Sequence, residues 1–338
     1  GCGDSANEPV GAGTDGGSSP VTTTGETEPP PEDGPDPDAG PATTPGMGPP
    51  RPPPSVPDLS DLTPEVVYTG DPSYLRVVDD QLFVVDGNTI RRMPLTGGDS
   101  EVVVPPAPAN IGIIRVNSTH LFFEVNDTFW RAPLDATGAT PEALYQGAPD
   151  ELIEAVDDNH IYFRARDTGN IGRVSVDGGM PEFFVGSVAD RLFNVVDGFA
   201  YFSRDLAGDY RVSRVSVTGG DEEELAVLPL PYWAVADGSR VHIGGRGGIY
   251  EVASGAEPVR IMHRPPSYPA NGDIERMMLS GERIYWGSDA GAVGWTDMSG
   301  TTCGSIVDWG IGGFEQWTVG PDSLYITSQR DVLRLPLP

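Results

Sequence analysis

The sequence predicts an all-β fold of seven similar four-stranded units, on three observations: a repeat period, a strand pattern within each repeat, and two complementary chain ends. One strand-like run recurs seven times, as QLFVVD, HLFFEV, HIYFRA, FAYFSR, RVHIGG, RIYWGS and SLYITS. Its second residue returns at steps of 39, 40, 39, 41, 43 and 40 positions. A period near 40 that contains only short strands is typical of a β-propeller, so we expect seven blades.

Each repeat divides into four strands by residue alternation and turn residues. In the third copy we predict an inner strand at 152–157, a second strand at 160–165, a third at 170–176 and an outer strand at 181–186. Glycine-rich turns such as DGG and TGGD separate the third strand from the fourth, and they supply the positive φ that tight hairpins require. The chain therefore reads as a series of antiparallel meanders.

The two ends of the repeat region complement each other. The last copy finishes as DVLRLPLP, a third strand without a fourth, whereas EVVYTG at 65–70 precedes the first inner strand and matches the outer-strand pattern. We predict that this N-terminal strand completes the last blade, because pairing the first and last segments leaves the ring without an open edge. The seven-bladed β-propeller then spans residues 63–338.

Residues 1–62 have a different composition. They contain no Phe, Trp or Tyr, 15 prolines, and 11 carboxylates against the single Arg51. So little apolar surface does not offset the entropy of ordering a chain, which predicts a disordered, Pro/Gly/Asp/Glu-rich tether.

Charge excludes several function classes. The chain carries a net charge of −29, and all 21 basic residues are arginine. Without a basic stripe, nucleic acid is not an expected partner, and without lysine no Lys nucleophile or Schiff base is available. The sequence contains no run of 18 apolar residues, so it predicts no membrane-spanning helix. With only Cys2 and Cys303 present, a disulfide scaffold is not expected, and Cys303 at the start of a strand reads as a packed residue.

The first residues, GCGDS, followed by the polar tether, resemble the end of a bacterial lipobox. The resemblance implies a signal peptide removed before Cys2 and acyl chains attached to Cys2, which would hold the exported protein on a membrane. Residue 3 is Gly rather than Asp, so the resemblance implies the outer membrane or cell surface.

RIYWGSDAGAVGWTDMSG, residues 283–300, resembles the repeat of YWTD propellers of the low-density-lipoprotein-receptor type and of myxobacterial-type propeller lipoproteins. Ile284, Tyr285, Trp286 and Asp289 carry the resemblance, together with VDGG and TGGD turns elsewhere. YWTD rings have six blades and most copies here lack the tetrad, so the identity of a ligand does not transfer.

A recurrent arginine lies near the end of the third strand in five copies: Arg92, Arg131, Arg173, Arg214 and Arg334. We expect these side chains to pack between blades, with the guanidinium groups meeting carboxylates such as Asp79, Asp157 or Asp197.

Residues near the start of the inner strands differ from copy to copy, as an asymmetric ligand site on a repeat scaffold requires, although solvated surface variety also explains the variation. At this funnel mouth we place Tyr74, Arg76, Arg115, Glu154, Asn194, Tyr232, Trp233, Glu275, Arg276, Gln316 and Trp317. The longest insertion, HRPPSYPANGD at 263–273, belongs to the same face, and its Arg264 and Tyr268 suit a protein or glycan contact.

Catalytic and metal-binding patterns are absent from the sequence. The four histidines have no metal-ligand spacing, and no nucleophile elbow, phosphate loop or EF-hand occurs. No cofactor is expected, and Ca²⁺ at Asp167, Asp205 or Asp209 has no support from spacing.

The sequence thus predicts a surface-tethered, non-enzymatic binding module for a protein or carbohydrate. Two alternatives remain open: a propeller lyase or hydrolase with an active site in the funnel, and a structural subunit of an envelope or filament assembly.

Overall fold

A computed structural model of the chain describes residues 63–148, 151–186, 189–237, 240–263, 273–288, 291–308 and 316–337. Every regular element in these residues is a β-strand, so none of them forms a helix that could cross a membrane. The strands form seven four-stranded antiparallel sheets. The predicted seven-bladed β-propeller is confirmed.

Six blades are continuous in sequence, and each contains four consecutive strands numbered from the inner to the outer edge. Blade 1 holds β2 (Pro72–Val78), β3 (Gln81–Asp86), β4 (Thr89–Pro94) and β5 (Glu101–Val104); blade 2 holds β6 (Ile114–Val116), β7 (His120–Val125), β8 (Thr128–Pro133) and β9 (Glu142–Gln146); blade 3 holds β10 (Glu151–Val156), β11 (His160–Ala165), β12 (Ile171–Ser175) and β13 (Glu182–Val185). Blade 4 holds β14 (Arg191–Val196), β15 (Phe199–Leu206), β16 (Asp209–Ser216) and β17 (Glu223–Leu228); blade 5 holds β18 (Pro231–Asp237), β19 (Arg240–Gly245), β20 (Gly248–Val252) and β21 (Val259–His263); blade 6 holds β22 (Ile274–Ser280), β23 (Arg283–Ser288), β24 (Ala292–Asp297) and β25 (Cys303–Asp308).

The seventh blade joins the two ends of the repeat region. It contains β26 (Trp317–Val319), β27 (Ser323–Ser328), β28 (Asp331–Pro336) and, as its outer strand, β1 (Glu65–Thr69). The register pairs Glu65 with Arg334 and Thr69 with Asp331, as the predicted closure requires. The ring is thereby closed by its earliest strand.

The apolar core lies between neighbouring blades. Seven buried clusters occur among the described residues, and each combines side chains from two adjacent sheets. The cluster that unites the chain ends places Val67 and Tyr325 of blade 7 against Leu75 and Leu82 of blade 1. Each interface between neighbouring sheets therefore has its own apolar core.

Two of the recurrent arginines reach the next blade, Arg92 at the Leu134 carbonyl (2.8 Å) and Arg131 at the Val176 carbonyl (2.7 Å), but the predicted carboxylate partners are wrong. Each guanidinium instead meets the glutamate directly opposite on the outer strand: Arg92–Glu101 (2.7 Å), Arg131–Glu142 (2.9 Å), Arg173–Glu182 (2.8 Å), Arg214–Glu223 (2.7 Å) and Arg334–Glu65 (3.5 Å). The pairing is cross-strand, because the arginine and the glutamate are opposite residues in the ladder. Of the carboxylates predicted as partners, Asp157 instead accepts the Tyr162 hydroxyl at 2.6 Å.

Candidate functional site

The candidate site is a cavity of about 260 Å³ where the first strands of six blades converge. Its lining residues all belong to first strands, so the cavity lies at the centre of the ring. The polar and aromatic part of the lining is Tyr74, Arg76, Arg115, Glu154, Phe193, Asn194, Trp233 and Arg276. The apolar part is Val116, Ala155, Val156, Val235, Ala236, Met277, Met278 and Leu279.

Bulges in the first strands decide which side chains enter the cavity. In blade 3 the register shifts between Ile153 and Ala155, and in blade 4 between Leu192 and Asn194. A bulge re-aims the extra residue, and Glu154 and Phe193 both line the cavity. In blades 1, 5 and 6 the corresponding shift lies two residues nearer the start of the strand, so the bulged residue is Ser73, Tyr232 or Glu275. None of those three lines the cavity.

A phenol and two guanidinium groups are in direct hydrogen-bond contact in the site. The Nη1 of Arg115 donates to the Tyr74 hydroxyl at 2.8 Å, and the Nη2 of Arg276 donates to the same hydroxyl at 3.4 Å. Arg115 also donates through Nε to the Glu154 carbonyl at 2.8 Å, while Arg276 donates through Nη1 to the Gln316 side-chain oxygen. These bonds join blades 1, 2, 3, 6 and 7 around the axis.

Aromatic rings sandwich Arg276. Its guanidinium carbon lies 5.3 Å from the centre of the Tyr74 ring and 5.5 Å from that of Trp317. Trp317 in turn packs on Gly287, where a Cβ atom would clash with the indole nitrogen. Glycine at that position lets the indole approach the second strand of blade 6, which holds the guanidinium between two ring faces.

The arginines change the acidity of Tyr74. Tyr74 is only 6% exposed, and burial alone would raise its pKa. The positive charges of Arg115, Arg276 and Arg76 outweigh burial and lower the pKa of Tyr74 to about 8. Burial lowers the pKa of Arg76 and of Arg276, and their mutual repulsion and that of Arg115 act in the same direction. The cavity is therefore a region of concentrated positive charge inside an acidic protein.

Arg76 and Glu154 are the least satisfied charged groups in the site. Within the described part of the chain, no hydrogen-bond acceptor meets the Arg76 guanidinium. The nearest cation to the Glu154 carboxylate is Arg164, at 3.9 Å from Nη2 to Oε1. Burial raises the pKa of Glu154, although Arg115 and Arg164 oppose that effect.

The structure brings together most of the residues placed at the funnel mouth from the sequence. Seven of them line the cavity, namely Tyr74, Arg76, Arg115, Glu154, Asn194, Trp233 and Arg276, and Gln316 and Trp317 support Arg276 from blade 7. Tyr232 instead donates to Asp273 at 3.2 Å, and Glu275 is exposed. Arg264, Tyr268 and Cys2 lie outside the described residues.

Two contributors were missed in the sequence. The residue pattern predicts Phe193 as a core residue, but it is the bulged residue of its strand and lines the cavity. Arg164 belongs to a second strand, where no pattern distinguishes it from surface arginines; its pairing with Leu152 across the blade brings it near Glu154.

The arrangement suits anion binding more than acid–base chemistry. Guanidinium groups are permanent donors with high pKa values, and they neither abstract nor release protons near neutral pH. Among the described residues no three His, Cys, Asp or Glu side chains cluster as a metal site. Burial and the nearby Asp297 raise the pKa of the Cys303 thiol, which disfavours the reactive thiolate.

Comparison with known proteins adds fold neighbours. No protein-family model matches the chain, and no curated protein matches it. Virginiamycin B lyase from Staphylococcus aureus is similar in structure, with a TM-score of 0.61 and 14% identity over 82% of this chain and 100% of that one. The extracellular domain of a one-component system from B. thetaiotaomicron has a TM-score of 0.60 and 12% identity over 81% of this chain and 40% of its own. YCF48 bound to D1 peptide has a TM-score of 0.55 and 12% identity over 82% of this chain and 97% of that one. At these identities the likeness shows a propeller fold alone.

Proposed function

We propose that this protein is a non-enzymatic binding module that holds part of its ligand in the central cavity. The observation that supports the proposal is the convergence of Arg76, Arg115 and Arg276 with the aromatic rings of Tyr74 and Trp233 in one concave site. Fixed cations and flat rings recognise ligands at little conformational cost, as pockets of this kind do in general. The partner is a carbohydrate or a protein segment that reaches the axis from the face where the first strands begin.

The proposal includes display at the outer membrane or cell surface. Lipid attached to Cys2 would anchor the chain, and the proline-rich residues 1–62 would act as a flexible spacer. A flexible chain of that length samples about 45 Å from its anchor, because its mean extension grows with the square root of length. The similarity of residues 283–300 to the repeats of propeller lipoproteins agrees with this placement.

Binding is tested by calorimetry on the full chain with panels of oligosaccharides and peptides, followed by mass spectrometry of the recovered ligand. We expect saturable binding, recovery of the ligand unchanged, and a melting temperature that rises with ligand concentration. At a ligand concentration of 100 times Kd, the free energy of unfolding should increase by about 2.7 kcal/mol. Recovery of a cleaved or eliminated product would overturn the non-enzymatic proposal. Failure of both panels to bind would overturn the binding proposal.

The second candidate is a lyase. Tyr74 favours this candidate, because a phenol with a pKa of about 8 is partly ionised near neutral pH, and its phenolate could act as a general base. The adjacent guanidinium groups could stabilise an oxyanion that forms on the substrate. The same mass-spectrometric readout, repeated with Tyr74→Phe, distinguishes the two: turnover that disappears in this variant would support the lyase.

The anchor is tested with the only two cysteines in the chain. We expect an alkyne fatty acid fed to the native host to label the protein and its Cys303→Ser variant, but not Cys2→Ser. Equal labelling of the Cys2→Ser variant would contradict the anchor.

A further inference from the structure

The central cavity carries an uncompensated positive charge. Three guanidinium groups and one carboxyl group line it, and burial lowers the pKa of both Arg76 and Arg276. Buried like charges are costly in a medium of low dielectric unless a counter-charge lies among them. An anion in the cavity would supply that counter-charge, so the electrostatics of the site point to an anionic group on the ligand.

Arg76 has the most open donors of the three cations, although the buried Nε of Arg276 also lacks an acceptor. Arg115 already donates to Tyr74 and to the Glu154 carbonyl, and Arg276 already donates to Gln316 and Tyr74. The Arg76 guanidinium meets no acceptor among the described residues, yet its side chain lines the cavity. A guanidinium with open donors binds a carboxylate through two parallel hydrogen bonds.

The rest of the lining suits a hydroxylated carbon skeleton. Asn194 uses its side-chain oxygen to accept from the Val195 amide at 2.9 Å, and its NH₂ group has no acceptor in the described part of the chain. Glu154 offers an acidic group for ligand hydroxyls, and the Trp233 indole with Met277 and Met278 supplies an apolar wall. A compact inorganic oxyanion would leave that wall without a partner.

A ligand ammonium group is disfavoured in the same place. Arg115, Arg164, Arg166 and Arg191 all act on Glu154, the only carboxylate in the lining. A zwitterionic amino acid would therefore place its positive group in a repulsive field, whereas neutral hydroxyl groups meet no such penalty. The volume of about 260 Å³ fits a ligand the size of one sugar ring.

We propose that the cavity binds a sugar acid, with the carboxylate on Arg76 and the hydroxyl groups toward Glu154 and Asn194. This inference rests on the proposed binding function and names its ligand class. The carboxylate would lie in the field of Arg115 and Arg276, and the ring face would pack on Trp233.

The test is calorimetry on the full chain with D-galacturonate, D-glucuronate and D-gluconate, against D-galactose, glycine, sulfate and phosphate. We expect at least one sugar acid to bind roughly tenfold or more tightly than galactose, and Arg76→Gln to remove that preference. The matched control is Arg211→Gln, which alters an exposed arginine paired with Glu224 at 2.8 Å, far from the first strands. This control should retain the preference.

Three results would overturn the sugar-acid assignment without removing the binding function. These are neutral sugars or peptides binding as tightly as the acids, sulfate or phosphate binding in preference to the acids, and an acid preference that survives Arg76→Gln. If the three acids do not bind but an oligosaccharide or peptide of the wider panels does, only the sugar-acid assignment fails. If nothing binds in either set, the proposed function fails with it.

The ionisation of Tyr74 supplies a second measurement, which would not change if Arg76 had only a structural role. A bound carboxylate would offset the arginine charges, so the pKa of Tyr74 should rise from about 8 toward the ordinary phenol value. Adding the sugar acid near pH 9 should therefore reduce phenolate absorbance in the native protein and leave it unchanged in Arg76→Gln. An unchanged absorbance on saturation of the native protein would place the acid elsewhere.

Discussion

At the scale of single residues, the site depends on the balance between burial and like charge. Tyr74 is almost fully buried, which opposes its ionisation, but it accepts from Arg115 and lies under the guanidinium of Arg276. Its pKa of about 8 shows that the cations outweigh burial. Ionisation of this phenol would neutralise one arginine and so compete with any anion that the cavity binds.

This competition predicts a pH dependence of binding. Below about pH 8 Tyr74 is a neutral phenol and the full cationic charge is available, so a sugar acid should bind with constant affinity; above that pH the affinity should fall. In Tyr74→Phe the fall should be absent, because no phenolate forms. Calorimetry between about pH 6 and pH 9.5 checks the prediction, and the same decline in both proteins would contradict it.

Most cavity residues could be predicted because they vary between repeats that otherwise agree. Arg76, Arg115 and Asn194 interrupt the apolar pattern of the first strands, and each lines the cavity. Tyr232 and Glu275 break the pattern equally well, but each is the bulged residue of its strand and neither lines the cavity. The alternation of apolar and polar residues does not reveal a register shift of one residue. This explains why Tyr232 and Glu275 were placed at the cavity and why Phe193 was missed.

At the scale of strands, one cross-strand pair recurs in five of the seven blades and is replaced in blades 5 and 6. Five blades place an arginine on the third strand opposite a glutamate on the fourth. Blade 6 places Trp295 opposite Gly304, and a Cβ atom there would lie 2.7 Å from the indole nitrogen. Blade 5 places Glu251 opposite Val259, so the arginine–glutamate pair is absent from both of these blades.

The arginine of such a pair should contribute more to the free energy of unfolding than its glutamate does. Arg131 donates to the Val176 carbonyl and to the Asp177 carboxylate of the next blade, both at 2.7 Å, as well as to Glu142. We expect Arg131→Gln to lower the free energy of unfolding by about 1–2 kcal/mol, because acceptors on a neighbouring blade lose their donor. Glu142→Gln removes only an exposed ion pair and should cost under about 1 kcal/mol. Urea unfolding measures both, and the reverse order would refute the inter-blade role.

The turn after the third strand of blade 6 provides a test at acid pH. Asp297 accepts from the backbone amides of Ser299, Thr301 and Thr302 at 3.0, 2.9 and 2.7 Å. Burial would raise its pKa, but these bonds and the Thr302 and Ser299 hydroxyls lower the pKa of Asp297 to about 2.

A carboxyl group whose pKa is depressed on folding stabilises the protein above its unfolded pKa, near 4, and that contribution disappears as the pH falls through its folded pKa, near 2. Asp297→Ala should therefore cost about 1–2 kcal/mol at neutral pH, and the difference from the native protein should shrink between about pH 4 and pH 2. Asp322→Ala, on another blade, serves as the control. A difference independent of pH would mean that the carboxylate does not organise the turn.

At the scale of the whole molecule, the ring is stabilised as seven similar interfaces, one of which depends on the N-terminal strand. The sequence predicted this closure from a third strand without a fourth at one end and an extra outer strand at the other. The register of Glu65–Thr69 against β28 confirms it. Periodicity predicted this architecture because every repeat must bury the same two faces, whereas the contents of the axis depend on local bulges that periodicity does not encode.

Adjacent residues of that closing strand provide the test of closure. Val67 is 8% exposed and packs with Leu75 and Tyr325 across the junction of blades 7 and 1, whereas Val66 is 53% exposed. Val67→Asp would bury an unpaired carboxylate at the junction, and we expect it to lower the free energy of unfolding by about 3 kcal/mol or more. Val66→Asp adds the same charge on the outer face and should change it by less than about 0.5 kcal/mol. Urea unfolding of the full chain compares the two, and equal stabilities would mean that the ring holds together without its N-terminal strand.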